Sequence, residues 1–379
     1  MYRNTYVNVN LDNLAHNVKT IINKYSYKYY IGVVKGNCYG HGYGIIKTLK
    51  DNGINYFAVA NLEEALIVRD IDKNVGIMCL EPIDKRYLDI CSKNNISIVI
   101  DDLEYYNEIK DLDYKLKFQV AIDSGMNRIG FNNIDDLDTF MNSVNKHDNF
   151  YVEGIFTHFA TEGMYDVNYN NQLNRFIELT KNIDLSKIDM VHLDKGGTLT
   201  IHNRIPFENG VRLGLIMYGF EQFPKNPSLF SNEKRWIKYR KENNIIVNEY
   251  QPLGLKQAFE LISEVFEIKH VTKGSYIGYG TGYKAKEDMD IAIVDIGYKD
   301  GISKKRKRTY MAINGKRYPV VGEVCMGMTM LKVDKDVRKH DIVYVIGNEI
   351  SVEEVAKWLH TIEYEVLCLV DSSIERKYI

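Results

Sequence analysis

Between Tyr29 and Gly214 a short apolar run, a polar turn and a segment of helical periodicity follow one another repeatedly. Eight such runs can be marked: Tyr29 to Lys35, Tyr56 to Ala60, Val75 to Leu80, Ile96 to Ile100, Leu116 to Ile122, Tyr151 to Phe159, Met190 to Asp194 and Phe207 to Leu213. A run this apolar and β-branched reads as a strand buried on both faces, the kind found in parallel sheets. Amphipathic stretches lie between them, among them Leu62 to Ile71, Asp102 to Leu112, Asp135 to His147 and Asn170 to Ile183. Parallel neighbours need crossover connections, usually helical. Eight β/α units in series therefore predict an α/β fold, a closed (β/α)8 barrel. No self-similarity at fixed period accompanies the units, so the barrel follows from the alternation of elements alone.

A barrel fixes where its chemistry lies, because the site is built from the loops after the strands. Few polar residues fall there. Lys35 ends the first run, Arg128 follows the fifth in AIDSGMNRIGF, His158 ends the sixth in GIFTHFATEG, and Arg212 ends the eighth in ENGVRLG. One lysine, two arginines and a histidine on one rim make a cationic, anion-binding pocket. An amine partly desolvated at such a rim has a lowered pKa and can attack a carbonyl, as Schiff-base lysines do. Gly196, Gly197 and Thr198, after the seventh run, offer N–H groups and a hydroxyl where barrels commonly hold a phosphate. The glycines at 40, 42 and 44 do not make the dinucleotide fingerprint GxGxxG, which excludes a Rossmann reading.

Beyond Phe220 the pattern changes to alternating, hairpin-like strands: Phe259 to Val271, Asp290 to Gly301, Thr309 to Cys325 around an Asn314-Gly315 turn, and Asp341 to Gly347. A helix from Ser351 to Ile362 opens on a serine cap with Glu354 three residues on. The expected organisation is a barrel over 9–220, a charged connection over 221–257 and a mainly antiparallel β-domain over 258–379, with residues 1–8 pairing with it.

A length of 379 residues suffices for two such cores. A formal net charge of -2 leaves no electrostatic footprint for nucleic acid or an anionic membrane. The one basic cluster, Lys304 to Arg308, reads as a solvated loop. Five cysteines, an odd number without a CxxC pair or His/Cys spacing of the zinc kind, imply reduced thiols and no metal. The first residues lack a signal-peptide pattern, and no stretch is long and apolar enough to span a bilayer, so a cytoplasmic protein is expected.

The words VVKGNCYGHG, DSGMNRIGF, THFAT, VRLGLIMYG, IGYGTGY, DIGYKDG, VGEVCMGMTM and IEYEV occur in this order. Together they resemble the alanine racemase family, whose members are pyridoxal 5'-phosphate (PLP) enzymes. The resemblance implies a small amino-acid substrate, L-alanine foremost, giving D-alanine for cell-wall synthesis, and a homodimer with shared active sites. It implies that Lys35 holds PLP as a Schiff base and acts as one catalytic base. Tyr279, matching a residue that the family takes from the partner subunit, would be the other. Tyr39 and Tyr364 match phosphate contacts, joined in the cofactor site by Gly196, Thr198, Gly214 and Leu215. Arg212 matches the arginine facing the pyridine nitrogen, and His158 the histidine bonded to it. Arg128 and the backbone of Met326 match substrate-carboxylate contacts, and Tyr298 resembles a tyrosine at the entrance.

Two bases fit the chemistry, since racemisation removes a proton on one face and returns it on the other. The chain departs from the family pattern at four places. Lys195-Gly196 stands where Asn-Ser is usual, Ala121 where a carbamylated lysine often orients the arginine, and Gly327 where an aspartate usually follows the methionine. Glu221 to Pro252 is longer than the family's connection. The first three bear on substrate range, so a larger or more polar amino acid such as serine is a further expectation, with a non-catalytic PLP-binding protein the alternative outside enzymes.

Overall fold

The computed structural model describes residues 3–221, 233–249, 251–307 and 309–379. The chain divides into two compact units: Asn13–Lys35 with Ile46–Lys256, and Met1–Asp12 with Gly36–Ile45 and Gln257–Ile379.

In the first unit eight strands lie in one parallel sheet: β2 (Tyr29–Val33), β3 (Tyr56–Val59), β4 (Gly76–Cys79), β5 (Ile96–Ile100), β6 (Leu116–Ala121), β7 (Phe150–Phe156), β8 (Met190–His192) and β9 (Gly210–Leu213). All eight coincide with expected runs. The order β8-β7-β6-β5-β4-β3-β2-β9 leaves one seam, between β8 and β9. That seam is closed by Asn209 N donating to Val191 O at 3.0 Å and Arg212 N to Asp194 O at 3.1 Å. Side chains complete it: Asn209 Oδ1 accepts from Val191 N at 2.9 Å, and Glu208 Oε1 accepts from Leu193 N and Asp194 N at 2.5 and 2.6 Å. Sequence pattern alone extends the eighth run back to Phe207. The strand starts later, because Pro206 and Phe207 form a turn, closed by Glu208 N to Ile205 O at 3.0 Å, that lets the Glu208 carboxyl reach the backbone just after β8.

The second unit holds β1 (Tyr6–Val9), β10 (Phe259–Val271), β11 (Met289–Val294), β12 (Tyr310–Ile313), β13 (Lys316–Val321), β14 (Thr329–Val333), β15 (Ile342–Ile346) and β16 (Glu375–Tyr378). Every pairing is antiparallel except β1 with β16. Asn314 and Gly315, at φ 52° and 74°, form the tight turn between β12 and β13, both in the positive-φ conformation that type I′ hairpins require. The helix Val352–Leu359 is capped by Ser351, which accepts from Glu354 N at 3.1 Å. The basic cluster departs from expectation: Arg306 is buried, donating to Val345 O at 3.2 Å and Tyr310 O at 2.9 Å over the Trp358 ring. Its long stem packs in the core while its head bonds carbonyls. Arg308 lies outside the described residues, as do 222–232 and 250 of the long connection, which contains the helix Glu233–Glu242.

The turn after Lys35 belongs to this second unit. Gly36, Asn37, Cys38 and Tyr39 all have φ between 49° and 62°, a full turn of left-handed helix. That hand costs L-residues roughly 1–2 kcal/mol each, so surrounding contacts must impose it. Gly40 N bonds Gly36 O at 3.0 Å, and Arg376 Nε clamps Gly40 O at 3.0 Å. A Cβ on Gly40 would stand 2.3 Å from Leu367 O, so only glycine fits.

Candidate active site

Arg212, on β9, is 4% exposed and points into the barrel. Its Nη1 donates to His192 O and His192 Nδ1, both at 2.6 Å; its Nη2 donates to Thr157 O at 2.7 Å and Leu193 O at 2.9 Å, with His158 Nδ1 at 3.5 Å. Burial lowers its pKa to about 10, offset in part by Glu208 and Asp194. It therefore stays charged at neutral pH while its hydrogen bonds among the described residues all go to neutral groups.

Because Arg212 donates to His192 Nδ1, the imidazole proton must sit on Nε2, which faces Gln119 Oε1 at 3.1 Å. Gln119 in turn donates its Nε2 to Glu153 Oε2 at 3.0 Å, and Tyr56 and Ser97 donate to the same oxygen. A polar chain thus runs through the barrel interior from Glu153 to Arg212. Gln119 has room only because residue 154 is glycine: a Cβ there would come within 2.0 Å of Gln119 Oε1.

His158 lies two residues beyond β7. Burial first, then Arg212, Lys195, Arg128 and Lys35, hold its pKa well below the ordinary value, so the ring is neutral. Three of these four cations, Lys35, Arg128 and Arg212, were expected along the rim; Lys195 was not, and all four bear on the His158 ring. Arg128 occupies the tip of a loop tied at its base by Asp123 N to Phe131 O at 3.0 Å and Phe131 N to Ala121 O at 2.9 Å. Inside the loop Asp123 Oδ1 accepts from Gly125 N and Asn127 N. Backbone, not a side chain at Ala121, holds this arginine's loop. Lys195 pairs with Glu162 at 3.1 Å. The Thr198 hydroxyl serves the start of helix Gly196–Ile201, accepting from Lys195 N at 3.0 Å. Gly214 begins the short 3-10 helix Leu215–Tyr218, with Leu215 buried.

In the second unit Tyr39 and Tyr364 meet edge to face, ring centroids 5.4 Å apart. Tyr279 is 72% exposed, and Tyr298 and Met326 are exposed as well. Tyr298 N bonds Cys325 O at 2.9 Å and Lys299 N bonds Met326 O at 3.0 Å, which aligns these loops. A Cβ on Gly327 would lie 3.4 Å from Lys299 Cε, so the lysine stem borders the space of the usual aspartate.

Sequence reading missed His192, Gln119, Glu153, Asp194 and Glu208. A signal existed for three of them: Gln119, Glu153 and His192 are polar residues in the mainly apolar strands β6, β7 and β8, and such residues are paired when buried.

A parallel barrel with a lysine just past its first strand and four cations around a neutral imidazole defines an enzyme for an anionic, carbonyl-bearing cofactor. The donor set fits PLP, with an amine for its aldehyde and cations for its phosphate and for a substrate carboxylate. The chain belongs to the alanine racemase family: the profile for "Alanine racemase, N-terminal domain" matches residues 9–222 and that for "Alanine racemase, C-terminal domain" residues 258–378. It is 32% identical to alanine racemase of Borreliella burgdorferi over 389 residues, covering 100% of this chain and 98% of that one. The crystal structure of alanine racemase from Bacillus anthracis with bound L-Ala-P superposes with a TM-score of 0.87 at 31% identity, covering 100% and 96%. A histidine racemase from Leuconostoc mesenteroides shares the fold, with a TM-score of 0.84 at 23% identity over 100% of this chain and 98% of that one. The protein is thus an amino-acid racemase of a PLP-dependent family.

Proposed function

We propose that this protein interconverts L- and D-alanine by a two-base exchange of the α-proton, as a homodimer that shares its active sites. The observation that carries the reading is the buried Arg212 guanidinium, held by His192, Thr157, Leu193 and His158 inside the barrel. Bound PLP supplies the electron sink that makes the α-hydrogen of an attached amino acid acidic. Lys35 takes or gives the proton at Cα on one side. Tyr279 of the partner subunit does so on the other, and the exposure of Tyr279, Tyr298 and Met326 on adjoining loops supports burial of that face by a second copy. Arg212 would face the ring nitrogen of bound PLP, where a guanidinium would disfavour a proton and moderate the sink. His158 and His192 orient that guanidinium. Tyr39 and Tyr364 hold the phosphate with backbone groups of Gly196, Thr198, Gly214 and Leu215. Arg128 and the Met326 backbone bind the substrate carboxylate, and Tyr298 narrows the entrance. The working domain limits are 9–220, 221–257 and 258–379.

A second reading, a wider range reaching serine, draws on Gly327, where no carboxylate stands beside Lys299. Chiral chromatography of the PLP-loaded protein incubated with a panel of L-amino acids separates the two. D-alanine as main product supports the first; a larger yield of D-serine supports the second. No D-product from any amino acid overturns both. Lys35→Ala should abolish the visible absorbance of bound cofactor as well as turnover.

A further inference from the structure

Two carboxyl groups that the mechanism above does not use stand behind Arg212. Asp194 and Glu208 are both buried, 1% and 0% exposed. Glu208 Oε1 is occupied by the N–H groups of Leu193 and Asp194. Glu208 Oε1 bonds the backbone N–H of Asp194 itself at 2.6 Å, which sets the two carboxyls side by side, and Asp194 Oδ1 and Glu208 Oε2 have no hydrogen-bond partner among the described residues. Two neighbouring carboxylates away from water and short of donors resist double ionisation, which favours one proton held by the pair. Burial, the main cause, raises both groups, Glu208 well above its ordinary value.

Among the described residues the surroundings offer no better partner for that proton. The Thr198 hydroxyl reaches Asp194. The Tyr27 hydroxyl, with no hydrogen-bond partner among the described residues, and Tyr169 both feel the acids, and burial raises both phenols. His202 stacks on Tyr169 at 3.7 Å and is held neutral by burial. Arg204 lies over the Tyr27 ring. The remaining cation is Arg212, whose backbone N–H donates to Asp194 O and whose guanidinium meets no carboxylate among the described residues.

We propose that Asp194 and Glu208 share a single proton and form the singly charged counter-ion of Arg212, a positioning pair that sets how strongly this arginine acts on the group it faces. The inference rests on the racemase reading above for what Arg212 faces. One negative charge behind the guanidinium tempers its field, a second would weaken it further, and none would leave it at full strength.

The isosteres make this testable. The amide introduced by E208Q can still accept from Leu193 and Asp194 N–H while donating to the Asp194 carboxylate, and D194N is its mirror image, so each single variant keeps one charge. The double variant keeps none. The readouts are the infrared carbonyl band of a protonated carboxylic acid, taken as the difference between unmodified protein and each variant, and the visible absorbance of the PLP-loaded protein against pH. The band should be present at neutral pH in the unmodified protein and lost in both single variants. The midpoint of the absorbance change should stay in place in the singles and move by about one unit or more in the double variant. A role confined to closing the barrel seam would alter thermal stability and leave that midpoint unmoved. Absence of the band, an unmoved midpoint in the double variant, or singles that shift as far as the double overturns the proposal. Should the double variant fail to fold, the band and the single variants decide it. Failure to racemise any amino acid, with band and midpoints as expected, overturns the functional reading and leaves the shared proton standing.

Discussion

Gln119→Met tests whether the polar chain inside the barrel fixes the machinery at its mouth. Methionine matches glutamine in length, so the space above Gly154 stays filled and no cavity term enters. What is lost is the acceptor for His192 Nε2–H and the donor to Glu153, at 3.1 and 3.0 Å in a site where Gln119 and His192 are both 0% exposed. An orphaned buried N–H costs about 1–3 kcal/mol, and a hydrogen bond to a charged group contributes about 1.5–3 kcal/mol. Glu153 retains Tyr56 and Ser97 as donors, which places the sum near the lower end, about 3 kcal/mol. For a barrel of this size that corresponds to a midpoint lowered by roughly 6–12 °C. Thermal unfolding followed by circular dichroism measures it. Combining the change with His192→Phe removes the orphaned donor, so the two effects should fall short of additivity by about 1–2 kcal/mol. A midpoint within about 2 °C of the unmodified protein, or strict additivity, would refute the idea that this chain is satisfied and coupled.

Tyr279→Phe should slow α-proton exchange from one enantiomer by about a hundredfold or more, the usual range for a lost general acid or base, and from the other far less. NMR in heavy water, run separately on each enantiomer, checks this; equal losses contradict a one-sided role. His41, fully buried against Phe259, has its pKa pulled down to about 4, by burial foremost. The unfolded chain takes up that proton below about pH 6.5, so stability is full above this pH and falls by about 3 kcal/mol as pH drops to 4. The difference between the unmodified protein and His41→Phe in urea titrations across this window isolates the effect, and a pH-independent difference refutes it. Gly327→Asp puts a carboxylate beside the Lys299 stem. Exposed pairs contribute about 0.2–1 kcal/mol, so the preference for alanine over serine in kcat/KM should rise by about threefold. An unchanged ratio removes position 327 from the determinants of substrate range.

The strands of the barrel were legible because burial on both faces leaves little besides β-branched and aromatic residues, and because parallel strands cannot be joined without the helical stretches between them. The positions of Lys35 and His158 were legible for the same reason: once the strands are placed, a polar residue just past a strand's end must lie on the face that the following loops build. The left-handed turn was not. Its glycines announce a turn, but Cys38 and Tyr39 carry no local preference for positive φ, and contacts as remote as Arg376 impose it.

Glu208 shows a different limit. Local pattern extends the eighth strand back to Phe207 and makes Glu208 a polar residue at a strand entrance, where solvent would be its natural partner. The chain instead turns there, and the carboxyl takes over hydrogen bonds that further strand residues would have supplied to Leu193 and Asp194. A side chain that replaces backbone in closing a barrel leaves no periodic trace, since the information lies in the geometry of the gap. The same replacement sets a second buried carboxyl beside the first, and both bear on the charge of the buried Arg212. Closure of the seam and the charge behind Arg212 are therefore one structural choice, and a residue with neither a carboxyl nor an amide at 208 must disturb both together.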